Sequence, residues 1–171
     1  LVVATKQDTA KNLVTKVKFM YDNLPSWLQI GFTENNKLAL RLKNGSQVKA
    51  VSAAGDAGRS EAISLLIIDE AAFIETNKID EIWGSSQQTL STGGKAIVLS
   101  TPNGTGNFFH KMWTKAEEGT NGFIPIKLHW SVHPERDQSW RDKQDDELGL
   151  RMAAQECDCD FTTSGHTVFE N

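Results

Sequence analysis

One stretch constrains the fold of this chain more than any other: Leu65-Leu66-Ile67-Ile68-Asp69-Glu70, four consecutive apolar residues followed by two acids. A continuous apolar run of strand length with polar ends suits a strand buried on both faces, as in a parallel sheet covered by helices. Lys95 to Thr101 repeats the pattern with Ala96-Ile97-Val98-Leu99. Between them, Ile79, Ile82, Trp83 and Leu90 keep helical spacing, and the helix is expected to stop before Thr92-Gly93-Gly94. Strand, helix, strand in this order predicts a βαβ unit, hence an α/β fold with a mostly parallel sheet flanked by helices.

The remaining segments extend that frame. Leu1-Val2-Val3-Ala4-Thr5 has no initiator Met and no basic leader, and reads as a strand already under way. Asp8 is placed to cap a helix carrying Leu13, Val14, Val17 and Met20, which Leu24-Pro25 ends. Trp27-Leu28 is expected to cover the edge of the core. Leu38, Leu40 and Leu42 alternate, Asn44-Gly45-Ser46 follows, and Val48 and Val51 resume the strand period, which predicts an antiparallel hairpin added to the sheet. Asn107 to Ala116 reads as a helix with Phe108, Phe109, Met112 and Trp113 inward, and Phe123 to Trp130 as a further strand. Gln138 to Glu156 reads as one or two helices interrupted near Gly149.

Composition narrows the function. With 171 residues, 39% hydrophobic and 23% charged, the chain has globular rather than disordered composition. A net charge of −4 excludes a uniformly basic nucleic-acid coat, though not a local basic face. No run of 18 apolar residues exists to span a membrane. Cys157-Asp158-Cys159 has no second cysteine pair, so it makes a poor zinc site. His110, His129, His133 and His166 lack metal-site spacing. Lys111, Lys115 and Lys127 are too scattered to mark a DNA path, Trp83 and Trp113 suit core packing better than base stacking, and Asp145-Asp146-Glu147 suits a solvated helix face.

The chemistry concentrates at two strand ends. An apolar strand delivering Asp69-Glu70 to the sheet edge is a Walker B pattern. The first carboxylate can hold Mg²⁺ beside nucleotide phosphates and the second can polarise an attacking water. Two solvated acids after a core strand would look the same, so the motif alone leaves both readings open. Ser100-Thr101-Pro102-Asn103-Gly104 ends the next strand with hydroxyls and an amide, the side chains that sense a γ-phosphate or its water. Pro-Asn-Gly is also a turn sequence, and such a turn can carry the sensor.

Taken together, these motifs resemble a known family. Asp69-Glu70-Ala71-Ala72-Phe73-Ile74, Ser100-Thr101-Pro102-Asn103-Gly104 and Phe108-Phe109-His110-Lys111-Met112-Trp113 are similar to the large terminase subunit of tailed bacteriophages. The likeness continues through His129-Trp130-Ser131, Trp140-Arg141 and Gln155-Glu156-Cys157-Asp158-Cys159-Asp160-Phe161 to Ser164-Gly165, in order along nearly the whole chain. The resemblance implies a P-loop NTPase-like fold and an ATP-hydrolysing motor that packages double-stranded DNA into procapsids. In that family a C-terminal nuclease domain cuts the concatemer. Asp69 would be the Mg²⁺-associated acid, Glu70 the catalytic base, and Ser100, Thr101 and Asn103 the coupling motif that also faces nucleotide. Arg59, after the Gly55-Asp56-Ala57-Gly58 loop, would be an arginine finger or else would pair with Glu61. ATP and Mg²⁺ are the implied cofactors. The implied partners are DNA, the portal protein, the small terminase subunit and neighbouring large subunits in a ring, in the host cytoplasm and without a membrane.

The departures from the family bound the expectation. No G-x-x-x-x-G-K-[ST] occurs, and Gly93-Gly94-Lys95-Ala96 lacks the hydroxyl and the preceding glycine and comes before a strand. Asp158 and Asp160 do not replace the family's nuclease carboxylates. Residues 1–156 are therefore expected to be a partial ATPase domain and residues 157–171 the start of a linker toward the nuclease. Such a segment alone is expected to bind ATP weakly and not to turn it over. The alternatives are another P-loop ATPase or helicase core, or a truncated interaction module without catalysis. Arg136, Arg141 and Arg151 do not form a convincing helicase arginine pattern.

Overall fold

The computed structural model describes residues 1–53 and 62–162. The chain divides into two compact units, Leu1–Leu99 and Ser100–Asn171.

The first unit is built on a six-stranded mixed sheet. Its strands are β1 (Val2–Ala4), β2 (Phe32–Asn35), β3 (Ala39–Leu42), β4 (Gln47–Ser52), β5 (Leu65–Ile68) and β6 (Lys95–Val98), in spatial order β2-β3-β4-β1-β5-β6. β4, β1, β5 and β6 run parallel, while β3 and β2 are added antiparallel on the β4 side. The Asn44-Gly45-Ser46 turn closes the β3–β4 hairpin. Gly45 sits at φ +86°, where a Cβ would be strained, and Ser46 donates its N–H to the Asn44 side chain.

Helix α1 (Gln7–Asp22) lies on β1 and β4. Val2, Ala4, Ala10, Val14, Leu40 and Ala50 form the core there, with Leu13 and Val17 packed against it. Burying one such aliphatic side chain is worth about 1.5–3 kcal/mol. The helix begins before Asp8: its N-cap is Lys6, and Asp8 in the first turn pairs with Lys11 at 2.8 Å. Met20 lies outside the buried stripe and is exposed. Trp27, in a 3₁₀ turn after the helix, is 80% exposed and covers no core. The loop holding it is nevertheless fixed, because Tyr21 packs on Phe32 and donates its hydroxyl proton to the Ile30 carbonyl.

β5 and β6 are joined through α2 (Thr76–Leu90), whose Ile79, Ile82 and Ser86 are buried. Gly93 and Gly94 turn the chain into β6. A Cβ on Gly94 would lie 2.5 Å from the Ile63 carbonyl oxygen, so this glycine pair serves a close backbone approach. Leu66 and Ile68 are fully buried, but β6 is not enclosed on both faces, since Ile97 is 50% exposed. Among the described residues β6 ends the sheet.

The second unit is helical. It contains α3 (Phe108–Glu117), α4 (Gln138–Leu148) and α5 (Leu150–Glu156). Gly149, at φ +79°, separates the last two. Residues 123–129 are not a strand as the alternation predicted. They are without regular structure, leave Ile124 84% exposed, and lead into a 3₁₀ turn at Trp130–Val132. Alternation selects an extended chain, but a strand also needs a neighbour for its N–H and C=O groups.

Candidate functional site

The parallel strands of the first unit end in one row. The register pairs Ala4 with Ser52, Val3 with Ile68 and Ile68 with Val98. The ladder then continues one residue further: Asp69 N donates to Val3 O at 2.9 Å, Leu99 N to Ile68 O at 3.0 Å, and Ala53 N to Ala4 O at 2.8 Å. Asp69 is thereby fixed by its own backbone at the carboxyl edge of the sheet. From β1 the chain leads to β4 on one side, whereas from β5 it leads through α2 to β6 on the other. The β1/β5 boundary is the switch point of the sheet, where open α/β folds form a crevice for ligands. Asp69 and Glu70 stand at it.

Glu70 turns the chain sharply. It adopts the left-handed conformation, φ 54° and ψ 43°, one of two described non-glycine residues to do so; Cys159 is the other. A residue with a Cβ there costs about 1 kcal/mol or more, and such strain gathers where a side chain must be aimed. The turn is held from both sides: Ala71 N donates to Leu99 O at 3.1 Å and Phe73 N to Glu70 O at 2.9 Å. The small side chains of Ala71 and Ala72 are buried beneath it. Asp69 and Glu70 are both half-buried.

Asp69 is the residue here that could hold a hard dication, with a single carboxylate. Among the described residues no three His, Cys, Asp or Glu side chains gather as a metal-holding group. Asp69 offers one carboxylate, the usual protein share for Mg²⁺ that keeps its waters and takes phosphate oxygens.

In the second unit, Ser100, Thr101 and Asn103 form a braced loop. Pro102 between them is buried, and Gly104 and Gly106 take φ of 72° and 82°. Thr101 donates its hydroxyl to Glu156 at 3.3 Å, and Gln155 donates its amide to the same oxygen at 2.9 Å. Asn107, the N-cap of α3, accepts from His110 N at 2.9 Å and donates its amide to the Asn103 carbonyl at 2.9 Å. Gly106 N donates to His110 Nδ1 at 3.3 Å, and the ring of Phe161 rests edge-on against His110. The sequence places Asn107 at a helix start and Glu156 in the family-like Gln155–Phe161 string, but assigns neither a role at this loop. Asn107 carries a legible signal, an asparagine just before an apolar helical run. The bond that Glu156 accepts carries no local signal, because its partner Thr101 is 55 residues away.

Arg59 and Glu61 lie outside the described residues, as do Ser164 and Gly165. Lys95 begins β6, so Gly93-Gly94-Lys95 precedes a strand rather than opening a helix. Burial pushes the Cys157 and Cys159 thiols up from their ordinary value, so neither is an activated nucleophile.

Comparison with known proteins agrees with this architecture. The family model for the N-terminal part of the T4-like terminase large subunit matches residues 1–171. A mutant large terminase ATPase domain from Thermus phage P74-26 superposes with a TM-score of 0.68 at 22% identity, over 94% of this chain and 76% of that one. The same phage's ATPase domain without that mutation gives 0.63 at 23%, over 94% and 75%. A large terminase from a thermophilic bacteriophage, solved with ADP, gives 0.68 at 10% identity. The chain matches over 94% of its own residues but spans 40% of that terminase. At these identities the likeness shows the fold, which is the one these phage large terminases share.

Proposed function

The chain belongs to the T4-like large terminase subunit family as its N-terminal part, and on that premise we propose that it carries the hydrolytic carboxylates of the ATPase that drives viral DNA packaging. The observation that carries this reading is the Asp69-Glu70 pair, fixed by backbone hydrogen bonds at the sheet's switch point with Glu70 in a strained turn. The ADP held by the thermophilic phage terminase supports an adenine nucleotide as the ligand.

Asp69 would hold Mg²⁺, which when bound neutralises charge on the β- and γ-phosphates. Glu70 would accept a hydrogen bond from the attacking water and take its proton as the water oxygen bonds to the γ-phosphorus and the bond to the bridging oxygen of the departing ADP breaks. Ser100, Thr101 and Asn103 would meet the nucleotide and pass its state to the rest of the motor. Arg59 would supply positive charge to the transferring phosphoryl group of a neighbouring subunit, an effect worth about 10³–10⁵ in rate. Double-stranded DNA, the portal protein, the small terminase subunit and further large subunits are the partners this reading entails, in the host cytoplasm.

The test is ATP hydrolysis by the full large subunit. Glu70→Gln keeps the shape and removes the base, so turnover should fall by about 10²–10⁴ with nucleotide binding retained. Wild-type turnover in that variant would overturn the reading. The 171 residues alone hold no phosphate-cradling motif, so they should bind ATP weakly and show no turnover. Hydrolysis by this segment, sensitive to Glu70→Gln, would refute that second statement. Another ATPase or helicase core would instead show strand separation dependent on Glu70.

A further inference from the structure

We propose that Asn107 is a positioning residue for the reaction, holding the Ser100–Gly104 loop in place while capping α3. The inference rests on the coupling role proposed above for that loop.

The two ends of one side chain do different work. Its carbonyl oxygen accepts from His110 N at 2.9 Å, satisfying an N–H that the first turn of α3 would otherwise leave unpaired. Its amide nitrogen donates to Asn103 O at 2.9 Å and to Gly104 O at 3.3 Å. A cap needs only the first of these. Serine and aspartate cap as well as asparagine does, and neither can donate an amide to two carbonyls. The choice of asparagine therefore points to the loop.

The loop needs such a hold. It ends in Gly104 and Gly106, both at positive φ and free of the restraint a Cβ gives. At its other end Thr101 is tied to Glu156, and Pro102 fixes one φ in the middle. Without the Asn107 amide the carbonyls of Asn103 and Gly104 lose these two hydrogen bonds to the first turn of α3, and the loop loses one of its restraints. Reacting groups must be held to about 0.5 Å, so a looser loop slows the chemical step without changing how much nucleotide is bound.

The experiment compares Asn107→Ser and Asn107→Asp with Asn107→Ala in the full large subunit, reading kcat, KM for ATP and Tm. Serine and aspartate keep the cap and lose the amide. Asn107→Ser should hold Tm within about 2 °C of wild type, lower kcat about five- to twentyfold and change KM less than twofold. Asn107→Asp, whose second oxygen is repelled by the two carbonyls, should lower kcat at least as much with a somewhat lower Tm. Asn107→Ala should show the same kcat loss together with a lower Tm. Wild-type kcat in Asn107→Ser or Asn107→Asp would overturn the inference, leaving Asn107 a cap only. Should the serine variant fail to fold, the aspartate variant decides on kcat and KM. Glu70→Gln, run in parallel, separates the two claims. If it retains turnover, the functional reading fails; if it is inactive while Asn107→Ser and Asn107→Asp turn over at the wild-type rate, only the positioning role fails.

Discussion

The guanidinium of Arg141 grips the Asp158 carboxylate with two parallel hydrogen bonds, Nε to Oδ1 at 2.9 Å and Nη2 to Oδ2 at 2.8 Å. A third bond reaches Asp145 one helical turn on. Arg141 is the one buried charged side chain among the described residues, and it fastens α4 to the segment after α5 by a fork on a half-buried carboxylate. Trp130 N, donating to Cys157 O at 3.0 Å, fastens the same segment from another side.

The fork sets an acid limit on this unit. The Arg141 hydrogen bonds hold the Asp158 carboxyl below its usual range, against the opposing push of burial. A depressed folded-state value means that the stabilisation is complete above the unfolded value of about 3.9 and is lost as pH falls through the lower folded value. Thermal unfolding followed across pH 2–6 should show a steeper acid decline in wild type than in Asp158→Asn. Equal slopes would remove the fork as the cause. Arg141→Ala leaves a half-buried carboxylate without its partner and should cost about 2 kcal/mol at neutral pH, below the 3–5 of fully buried pairs.

Glu70 trades stability for aim. Its left-handed backbone is strained with a side chain and relaxed without one. Glu70→Gly should therefore raise the urea midpoint by an amount worth about 0.5–1 kcal/mol while removing the proposed base. If midpoint and turnover fall together, the turn is not where strain is stored.

Ser86 offers a cleaner stability test. It is fully buried on α2 and its hydroxyl has no hydrogen-bond partner among the described residues. An unsatisfied buried hydroxyl costs about 1–3 kcal/mol, whereas alanine fits the same space and favours helix. Ser86→Ala should be stabilising by about 1 kcal/mol in chemical denaturation, and a destabilised variant would reveal a partner for the hydroxyl.

The sheet frame was legible where local pattern and burial agree. The apolar run before Asp69 marks β5, and Asn44-Gly45 marks the hairpin because only certain residues accept its backbone. What escaped was whatever depends on distant partners. β2 was invisible because Thr33-Glu34-Asn35 is a polar edge strand held by its pairing with β3. Residues 123–129 have an apolar alternation but no ladder, and Trp27 has the side chain of a core residue without a neighbour to cover it. At the site, Asp69 and Glu70 were readable from their strand, yet the left-handed turn was not, since glutamate carries no signal for it.

The exposed edge of β6 yields a prediction for the isolated chain. Ile97 lies half in solvent on the last strand of the sheet among the described residues. The opposite edge strand, β2, carries Thr33, Glu34 and Asn35, which discourage another chain from pairing there. β6 has Lys95 at its start and then Ala96-Ile97-Val98, so the apolar middle of the strand is where a second chain is expected to adhere. A charge at that point repels a second edge without entering the core. Light scattering at matched concentration should show several-fold less aggregate for Ile97→Lys than for the wild-type segment, with unchanged circular dichroism. Equal scattering would locate the self-association elsewhere, with the exposed Ile124, Ile126 and Leu128 the next residues to charge.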